Sequence, residues 1–420
     1  MSARVHIAGA GLSGLSAALR LLQAGRAVTV YEAAGHAGGR CRSYDEPALG
    51  RRIDNGNHLV LSGNTEVQSY LSLTGAEGGL AGPPKAEFPF CELATGERWT
   101  VRPNDGRIPW WVFSKRRRVP DTQATDYLQG LRFLKAGPLD TVAEILDTRS
   151  SLYRRFWEPL TVAVLNTAAE EGAALLMAPV IQQTFGKAGT ACRPLIARQG
   201  LSETFVQPAL DLIDRQGGQV NFNHRLRSVG FDGERVATLD FGDHQIAVGE
   251  DEGVILALPP LVTVDLIPGL FVPRRSRAIV NGHFLLPGLL TDISFMGLLG
   301  GTAHWLFVRG DVVSVTVSAA DDLAEEAADT IAGKLWPDIV AALDLGEMPL
   351  PAYRIVKEKR ATFAQTPAES ALRPNSVTDY DNCFLAGDWT RTGLPATIEG
   401  AILSGRRAAA SLLSQGPASG

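Results

Sequence analysis

The sequence has few cysteines, and no cysteine or histidine arrangement typical of a metal site. Its four cysteines, Cys41, Cys91, Cys192 and Cys383, lie far apart, and no C-x-x-C pair occurs. Its seven histidines include no H-x-x-H or H-E-x-x-H spacing. These absences argue against a disulfide framework and against a zinc site. We therefore expect a protein of the reducing cytoplasm that binds no metal.

The sequence also lacks an uninterrupted apolar run long enough to cross a membrane. Residues 253–272 form a long apolar stretch, but it contains three prolines and Asp265. A spanning helix needs about 20 apolar residues without such breaks, so we predict a buried strand, a proline turn and a short helix here. The first residues make a poor secretory signal, because Arg20 and Arg26 interrupt or directly follow their apolar part.

An excess of positive charge is absent as well. The 420 residues include 40 Lys and Arg against 45 Asp and Glu, which gives a formal net charge of −5 and a pI of about 5.9. No nucleic-acid partner is expected at this balance. Hydrophobic residues make up 45% and charged residues 20% of the chain, which is typical of globular proteins, and the length favours two domains.

A glycine-rich turn stands between a predicted strand and a predicted helix at the start of the chain. Residues 9–14, GAGLSG, match the pattern G-x-G-x-x-G, and the helix is predicted over about 12–24. In this context Gly9 would allow a sharp turn, Gly11 would let the backbone approach a pyrophosphate, and Gly14 would let helix and strand pack closely. The pattern therefore predicts a dinucleotide-binding turn.

Two further features of this strand–helix–strand unit favour an adenosine dinucleotide. Leu12 and Ser13 begin the helix, whose first amides and dipole would hold phosphate charge. A second predicted strand, residues 27–31, ends at Glu32, at the spacing expected for a ribose ligand. A carboxylate there favours the free ribose diol and repels a 2′-phosphate. We interpret the first forty residues as a nucleotide-binding fold and not as a signal.

A second glycine pair and the end of the chain resemble the two flavin motifs of one superfamily. The segment EAAGHAGGRCRS, which contains Gly39 and Arg40, resembles the extended FAD signature of the amine oxidase and phytoene desaturase superfamily. Its arginine can bind phosphate oxygens bidentately. The segment FLAGDWTRTGLPATIEGAILSGRRAA resembles the second motif, in which a helix N-terminus faces the flavin. The resemblance implies FAD as the cofactor, with contacts at this end from Gly387, Asp388, Thr397 and Ile398.

Two internal segments resemble a narrower family. IDNGNHLVLSGN, residues 53–64, and FWEPLTVAVLNT, residues 156–167, are similar to the squalene-associated FAD-dependent desaturases, the hydroxysqualene dehydroxylases. The resemblance runs from the N-terminus to about residue 410. It implies an α/β fold: a Rossmann-like FAD-binding domain of the GR2 type with an inserted mixed α+β substrate domain. The implied boundaries are 1–80, 192–265 and 375–420 for FAD, and 81–191 and 266–374 for the substrate.

The resemblance also implies a reaction and its partners. The family removes the hydroxyl of hydroxysqualene reductively to give squalene in squalene and hopanoid biosynthesis, so the partners would be a hydrophobic C30 isoprenoid, an external electron donor and other enzymes of that pathway. The alternatives are a carotenoid-type desaturase, or an amine or protoporphyrinogen-type oxidase, in which hydride moves from substrate to flavin. A non-catalytic isoprenoid-binding scaffold is the alternative outside enzymes; a colourless preparation would favour it.

The superfamily pattern places the segment after the G-G-R motif near the flavin ring. His58 is the candidate proton donor, since its usual pKa lies near neutrality, or else it donates to a backbone carbonyl. Asp54 is either catalytic or a turn residue, and Glu158 is either an acid with a pKa raised by burial or a capping carboxylate. Trp157 is expected to line a tunnel or the core. The remaining candidate cofactor contacts are Gly56, Asn57 and Leu226.

A basic run, SKRRRVP at 114–120, follows the aromatic residues Trp110, Trp111 and Phe113. Such a run is either a solvated loop or an electrostatic contact with anionic lipid, worth about 1 kcal/mol per cationic side chain near the surface. Because a C30 isoprenoid dissolves in membranes, the second hypothesis predicts peripheral contact with the inner face of the cytoplasmic membrane.

Overall fold

A computed structural model describes residues 3–106 and 108–415. Its strands, numbered along the chain, are β1 (Arg4–Ala8), β2 (Ala27–Tyr31), β3 (Ser43–Glu46), β4 (Arg51–Asp54), β5 (Leu59–Leu61), β6 (Leu80–Ala81), β7 (Phe88–Glu92), β8 (Glu97–Val101), β9 (Pro194–Ala197), β10 (Gln219–Asn221), β11 (Ser228–Asp232), β12 (Arg235–Asp240), β13 (Gln245–Ala247), β14 (Gly253–Leu256), β15 (Ser276–Leu285), β16 (Phe295–Leu299), β17 (Trp305–Arg309), β18 (Val312–Val317), β19 (Tyr353–Phe363) and β20 (Cys383–Leu385).

The helices complete the description. The α-helices are α1 (Leu12–Gln23), α2 (Thr65–Thr74), α3 (Val142–Ile145), α4 (Glu158–Leu165), α5 (Ala174–Gln183), α6 (Gln207–Arg215), α7 (Pro260–Leu266), α8 (Asp321–Glu325), α9 (Ala328–Leu343), α10 (Pro367–Ala371) and α11 (Ile398–Ser414). The 3₁₀ segments are Glu77–Gly79, Trp110–Phe113, Ala124–Lys135, Phe185–Lys187 and Gly189–Ala191, and π-helical turns at Tyr153–Trp157 and Ser202–Val206 lead into α4 and α6.

A five-stranded parallel sheet forms the nucleotide-binding part, as the glycine pattern predicts. Its strand order is β10-β2-β1-β14-β20, so segments from the beginning, middle and end of the chain lie side by side. β14 is apolar throughout, and every residue of β1 after Arg4 is buried, as is usual for parallel strands covered on both faces. The predicted Rossmann-like fold is confirmed.

Two helices pack on this sheet through a close backbone contact. A Cβ placed on Gly405 in α11 would lie 2.0 Å from the Ser13 carbonyl oxygen in α1, so only glycine permits this approach. Leu15 of α1 and Ile402 of α11 share one core with Ile255 of the sheet. The N-terminal and C-terminal helices are therefore held as one layer.

A second, seven-stranded sheet lies in the middle of the chain. Its order is β19-β15-β18-β17-β16-β7-β8, and only β16 and β7 pair in parallel. The helix α9 covers it through Leu335 and Ile339. The alternating segments VNFN, RLRSVGFD, RVATLDFG, HQIAVG and GVILAL predict one meander of strands. The middle three form it as β11-β12-β13, whereas the first and the last belong to the parallel sheet as β10 and β14. The division into domains at the boundaries given above stays a prediction.

Several predicted elements differ in detail from the observed ones. Residues 353–358, YRIVKE, predict a strand, and the observed strand β19 continues to Phe363. Residues 202–216, SETFVQPALDLIDRQ, predict a helix, and the observed helix starts with a π-helical turn. The sequence from Thr122 predicts a helical tract, and the structure shows a 3₁₀ helix there, Ala124–Lys135. The strand, proline turn and short helix predicted within 253–272 are present as β14 and α7. Among the described residues, no helix is long and apolar enough to cross a membrane.

Candidate functional site

The glycine loop has the geometry that its pattern predicts. Gly9 has φ +103° and donates its amide to the Tyr31 carbonyl at 2.7 Å, which fixes the turn between β1 and α1. A Cβ on Gly9 would lie 2.3 Å from the Ala257 carbonyl oxygen, and a Cβ on Gly14 would lie 1.9 Å from that of Gly9. Both positions therefore require glycine for packing.

Packing against the protein does not require a glycine at position 11. A Cβ built there meets no protein atom within 4 Å, so this side of the loop faces open space. Gly11 is also the N-cap of α1, and no side chain caps the helix that begins at Leu12, so a ligand can take the place of a cap at its first turn. Uncapped amides beside open space fit a pyrophosphate.

Glu32 lies at the end of β2, where the ribose ligand is predicted. One carboxylate oxygen accepts the Ala10 amide and the other accepts the Ala34 amide, both at 2.8 Å. The carboxylate thereby ties the glycine loop to the end of the neighbouring strand. Its contact with a ribose stays a prediction.

Arg40 joins the beginning of the chain to its tail. Its Nη2 donates to Asp388 Oδ1 at 2.8 Å, and its Nη1 donates to the Ala361 carbonyl. The Asp388 carboxylate raises the pKa of Arg40 although the surrounding protein desolvates the guanidinium, and 43% of the side chain stays accessible. A guanidinium surrounded by protein that keeps this much free surface can bind an anion inside the molecule.

The G-G-R segment and the glycine loop are also bonded directly to each other. The Gly38 amide donates to the Ala10 carbonyl at 2.8 Å, and Gly39 takes the left-handed φ of +57° next to Gly11. The amides of α1 and the Arg40 guanidinium therefore belong to one loop cluster, as a shared pyrophosphate would require.

The tail motif begins α11 where the resemblance implies. Thr397 is the N-cap, and its hydroxyl oxygen accepts the Gly400 amide at 3.2 Å, so the helix begins at Ile398. Gly387 has φ +153°, and its amide donates to Ser404 Oγ at 2.8 Å. The carboxylate of Asp388 is buried against Arg40.

Arg373, which the sequence did not reveal, organises this tail loop. It is fully buried, and its guanidinium donates to the carbonyls of Leu394, Asp388 and Thr390. Burial lowers its pKa to about 10, so it remains charged at neutral pH. One cation thus holds the loop that carries Asp388.

Asp54 is engaged entirely by protein groups. Oδ1 accepts from the Ser43 hydroxyl at 2.6 Å and from the Leu201 amide at 3.0 Å, and Oδ2 accepts from Arg309 at 2.6 Å. Because both oxygens of this buried carboxylate are engaged, the geometry favours the expected turn-holding role over a catalytic one.

Asp54 begins a loop of residues 54–58. Polar residues of the seven-stranded sheet hold the rest of this loop. Asn57 donates from Nδ2 to Thr316 Oγ1 at 3.0 Å, and Thr316 donates to Asn281 Oδ1 at 2.7 Å. A Cβ on Gly56 would lie 3.1 Å from Asn281 Nδ2, so glycine lets the loop approach the sheet. Asn281 and Thr316 lie on alternating apolar strands far along the chain, and no sequence pattern marks them.

His58 contacts its own loop. Its Nδ1 lies 3.0 Å from the Gly56 carbonyl oxygen, which can only accept, so Nδ1 carries the proton and Nε2 is free as an acceptor. Burial lowers the pKa of His58, which favours the neutral ring at neutral pH. With a neutral ring, His58 therefore donates a hydrogen bond to a backbone carbonyl, which is the second of the two roles predicted for it.

Glu158 and Leu226 are the remaining predicted site residues. Burial, and after it the neighbouring Glu170, raises the pKa of Glu158 at the start of α4. Trp157 is buried beside Phe133, with ring centroids 5.5 Å apart, so it belongs to the core. Leu226 is buried in the core that contains Tyr31 of β2. The catalytic role of Glu158 and the cofactor contact of Leu226 stay predictions.

The comparisons with known proteins agree with this geometry. The family model described as flavin containing amine oxidoreductase matches residues 12–287 and 299–413, which include the glycine loop and the tail motif. The chain belongs to this amine oxidoreductase family. Members are flavin-containing, so the flavin expected from the two motifs is confirmed at that level. Within the described residues no cluster of His, Cys, Asp and Glu suited to a metal ion is found.

Relatives within the amine oxidoreductase family are close in sequence. The chain is 48% identical over 416 residues to "Hydroxysqualene dehydroxylase" of Sinorhizobium fredii, covering 99% of both chains. It is 44% identical over 404 residues to the protein of the same name from Zymomonas mobilis, covering 96% of this chain and 97% of the other. The implied family is therefore confirmed.

A solved structure supports the fold of this amine oxidoreductase. The putative protoporphyrinogen oxidase from Exiguobacterium sp. superposes with a TM-score of 0.70 at 14% identity, covering 98% of this chain and 99% of the other. At this identity the likeness concerns the fold alone.

Proposed function

We propose that this chain is an FAD-dependent oxidoreductase that removes the hydroxyl of hydroxysqualene reductively to give squalene, in squalene and hopanoid biosynthesis. One observation carries the proposal: near-full-length identity of 44–48% with proteins named hydroxysqualene dehydroxylase. The loop cluster supports it, because it offers uncapped amides and a guanidinium to a dinucleotide.

The reaction replaces a C–O bond by a C–H bond at one carbon. The C–O bond breaks, the hydroxyl leaves as water after it has taken up a proton, and the carbon takes up a hydride. A flavin held by the α1 amides and Arg40 would, in its reduced form, supply the hydride, and an external electron donor would restore that form before the next turnover.

FAD is the proposed flavin because the site offers contacts along the length of a dinucleotide. Glu32 would bind the ribose, the α1 amides and Arg40 would bind the pyrophosphate, and the N-terminus of α11 in the tail motif would face the flavin. An FMN molecule would leave Glu32 and the end of β2 without a ligand.

The loop of residues 54–58 would position the substrate against the flavin. Asn281 and Thr316 brace Asn57, and the Arg309 pair braces Asp54, so this loop is held from the sheet side. With Nδ1 of His58 donating to Gly56, its Nε2 is left as an acceptor. We propose that it contacts the leaving hydroxyl and that its protonated form, a stronger acid because burial lowers its pKa, releases the proton to it.

A single-turnover experiment tests the proposal. Enzyme photoreduced without oxygen is mixed with hydroxysqualene, flavin oxidation is followed by its visible absorbance, and the product is identified by mass spectrometry. We expect flavin oxidation and one squalene per flavin. Squalene serves as the matched control ligand and should leave the flavin reduced.

Two other results would contradict the proposal. Reduced flavin that hydroxysqualene does not reoxidise would reject dehydroxylation. Oxidised enzyme that is bleached by a polyene or an amine would instead establish the desaturase or oxidase alternative. Acid release of the flavin and chromatography against FAD and FMN standards tests the choice of cofactor separately.

A further inference from the structure

Exposed apolar side chains are concentrated in one short part of the chain. Of fifteen large apolar side chains that are exposed in the described residues, seven fall between residues 108 and 139. Phe113 is 74% exposed and Leu128 is 62% exposed, which are high values for residues of this size. Clustering of this kind marks an interaction surface, whereas single exposed apolar residues do not.

The helix geometry explains how three of these leucines come to share one side. Ala124–Lys135 is a 3₁₀ helix, in which residues three apart lie above one another. Gly130 and Phe133 form its buried row. The next residues along, Leu128, Leu131 and Leu134, form an exposed row, which we call the leucine row. The third row is polar and contains Gln129, Arg132 and Lys135.

The chain segment that contains the leucine row is strongly positive. Between residues 108 and 139 the chain has six Lys and Arg against two Asp, a net charge of +4 in a chain whose net charge is −5. Lys115, Arg116, Arg132 and Lys135 are exposed. The segment therefore combines apolar side chains with a local charge opposite to that of the whole protein.

The aromatic part of the expected surface is corrected by the structure. Trp111 is only 7% exposed and packs edge-on against Tyr127 with centroids 5.0 Å apart, so it belongs to the core. Trp110 is half exposed and lies under Arg117, 4.6 Å from its guanidinium. Arg118 donates to the Val112 carbonyl and is half-buried. Only part of the basic run is thus free for a ligand.

We propose that Ile108, Trp110, Phe113 and the leucine row, with Lys115, Arg116 and Lys135, form a docking face for an anionic lipid bilayer. The apolar side chains enter the outer edge of the hydrocarbon, Trp110 lies at the headgroup level, and the cations contact anionic headgroups. A second copy of the chain fits less well, because two such positive faces would repel each other.

The docking face connects to the interior through direct packing. A Cβ on Gly130 would lie 3.1 Å from the Trp157 ring, so the 3₁₀ helix rests on the start of α4. At the other end of α4, Asn166 donates to Thr362 Oγ1 at 3.1 Å, next to Ala361, whose carbonyl accepts from Arg40. A substrate dissolved in the membrane would therefore meet the protein near the start of α4. The other end of α4 lies close to Ala361 and Arg40, in the predicted flavin site.

Vesicle flotation of the flavin-loaded protein tests the docking face without using activity. Vesicles of phosphatidylcholine alone are compared with vesicles of phosphatidylcholine and phosphatidylglycerol, at low and high salt. We expect flotation with the anionic vesicles that weakens as salt rises. The variant L128S/L131S/L134S should lose roughly tenfold or more in vesicle affinity, since each serine removes apolar surface from the bilayer. The variant K115S/R116S/K135S should lose chiefly the salt-sensitive part.

Matched controls use residues of similar exposure outside the segment. F271S/L290S removes two exposed apolar side chains, and R149S removes an exposed cation; both should float as the wild type does. Unchanged flavin content shows that every variant is folded. Flotation that is unchanged in the leucine variant would overturn the proposal. So would a wild-type dimer that the leucine variant turns into a monomer, because a second copy would then cover the face.

Discussion

The Arg40 guanidinium and the Asp388 carboxylate form an ion pair with Nη2 2.8 Å from Oδ1, although 348 residues separate them in the chain. Arg40 follows the glycine loop, and Asp388 follows the last strand of the parallel sheet. The pair therefore closes the site from both ends of the sequence. Asp388 also fixes the direction of the guanidinium, since Arg40 keeps 43% of its surface accessible and would otherwise be free to turn.

Loss of either partner should weaken flavin binding. In Arg40→Ala the anion ligand is removed, and in Asp388→Ala the guanidinium is no longer oriented, so each variant should bind FAD roughly 10- to 100-fold more weakly, the range of one charge-assisted hydrogen bond. Titration of apoprotein with FAD measures this. Arg149→Ala, at an exposed arginine, is the control. Equal FAD affinity in all three variants would contradict the role of the pair.

Two glycines of the same loop should respond differently to alanine. A Cβ on Gly11 meets only open space, so Gly11→Ala should keep the melting temperature of the apoprotein but bind FAD poorly, because the methyl group occupies the pyrophosphate position. A Cβ on Gly14 lies 1.9 Å from the Gly9 carbonyl oxygen, so Gly14→Ala should lower that temperature by several degrees, the effect of about 1–3 kcal/mol of overpacking. Calorimetry of apoprotein and FAD titration separate the two effects. Two variants with the same melting temperature and the same FAD affinity would show that the open side of the loop is not the ligand side.

Local patterns explain why the parallel sheet and its loop were predictable. The glycine loop, Glu32 and the start of α11 each depend on residues within a few positions of one another, so spacing alone indicates them. Partners that are distant in sequence left no such mark. Arg373 is one arginine among many, and only the fold places it among the carbonyls of the tail loop.

The sequence did not indicate the leucine row, for a different reason. Spacing of three and four residues indicates the face of an α-helix, on which Leu128, Leu131 and Leu134 would spread over about 120°. The 3₁₀ helix instead aligns them in one row. In this 3₁₀ helix Gly130 packs against the ring of Trp157, a contact between residues that are distant in sequence. For Asp54, the decisive fact is its pair with Arg309, 255 residues away.

His58 should control how the rate of product formation depends on pH. If its protonated form releases the proton to the leaving hydroxyl, the single-turnover rate should rise as pH falls from neutral toward the pKa of His58, which burial lowers below its usual value. His58→Gln keeps a polar side chain but removes this titration, so its profile should be flat and its rate roughly 100-fold lower. The same pH dependence in both proteins would assign the proton to another group and leave His58 as a loop brace.

His283 should make the folded protein less stable in mild acid. It is buried with Nδ1 2.8 Å from Ser314 Oγ, and burial lowers its pKa to about 4. The unfolded chain binds a proton near pH 6.5 but the folded chain does not, so stability is lost as pH falls from about 6.5 toward 4, by about 3 kcal/mol in total. Urea unfolding of wild type and His283→Gln between pH 7.5 and pH 5 measures this, and the variant should show the shallower dependence. Equal slopes would place the pKa of His283 near its usual value.

Arg373 should be needed both for stability and for the orientation of Asp388. Its guanidinium donates to three carbonyls of the tail loop and is fully buried, so Arg373→Met leaves those oxygens without donors and should lower the free energy of unfolding by about 3–5 kcal/mol. Arg373→Lys keeps the charge but cannot reach all three carbonyls, and it should recover only part of the stability while FAD still binds more weakly, because the Asp388 backbone is no longer held. Chemical unfolding and FAD titration of both variants, with Arg149→Lys as the control, measure the two effects. A lysine variant that restores stability but not FAD affinity would identify Arg373 as the residue that positions Asp388, whereas full recovery of both would reduce its role to that of a buried charge.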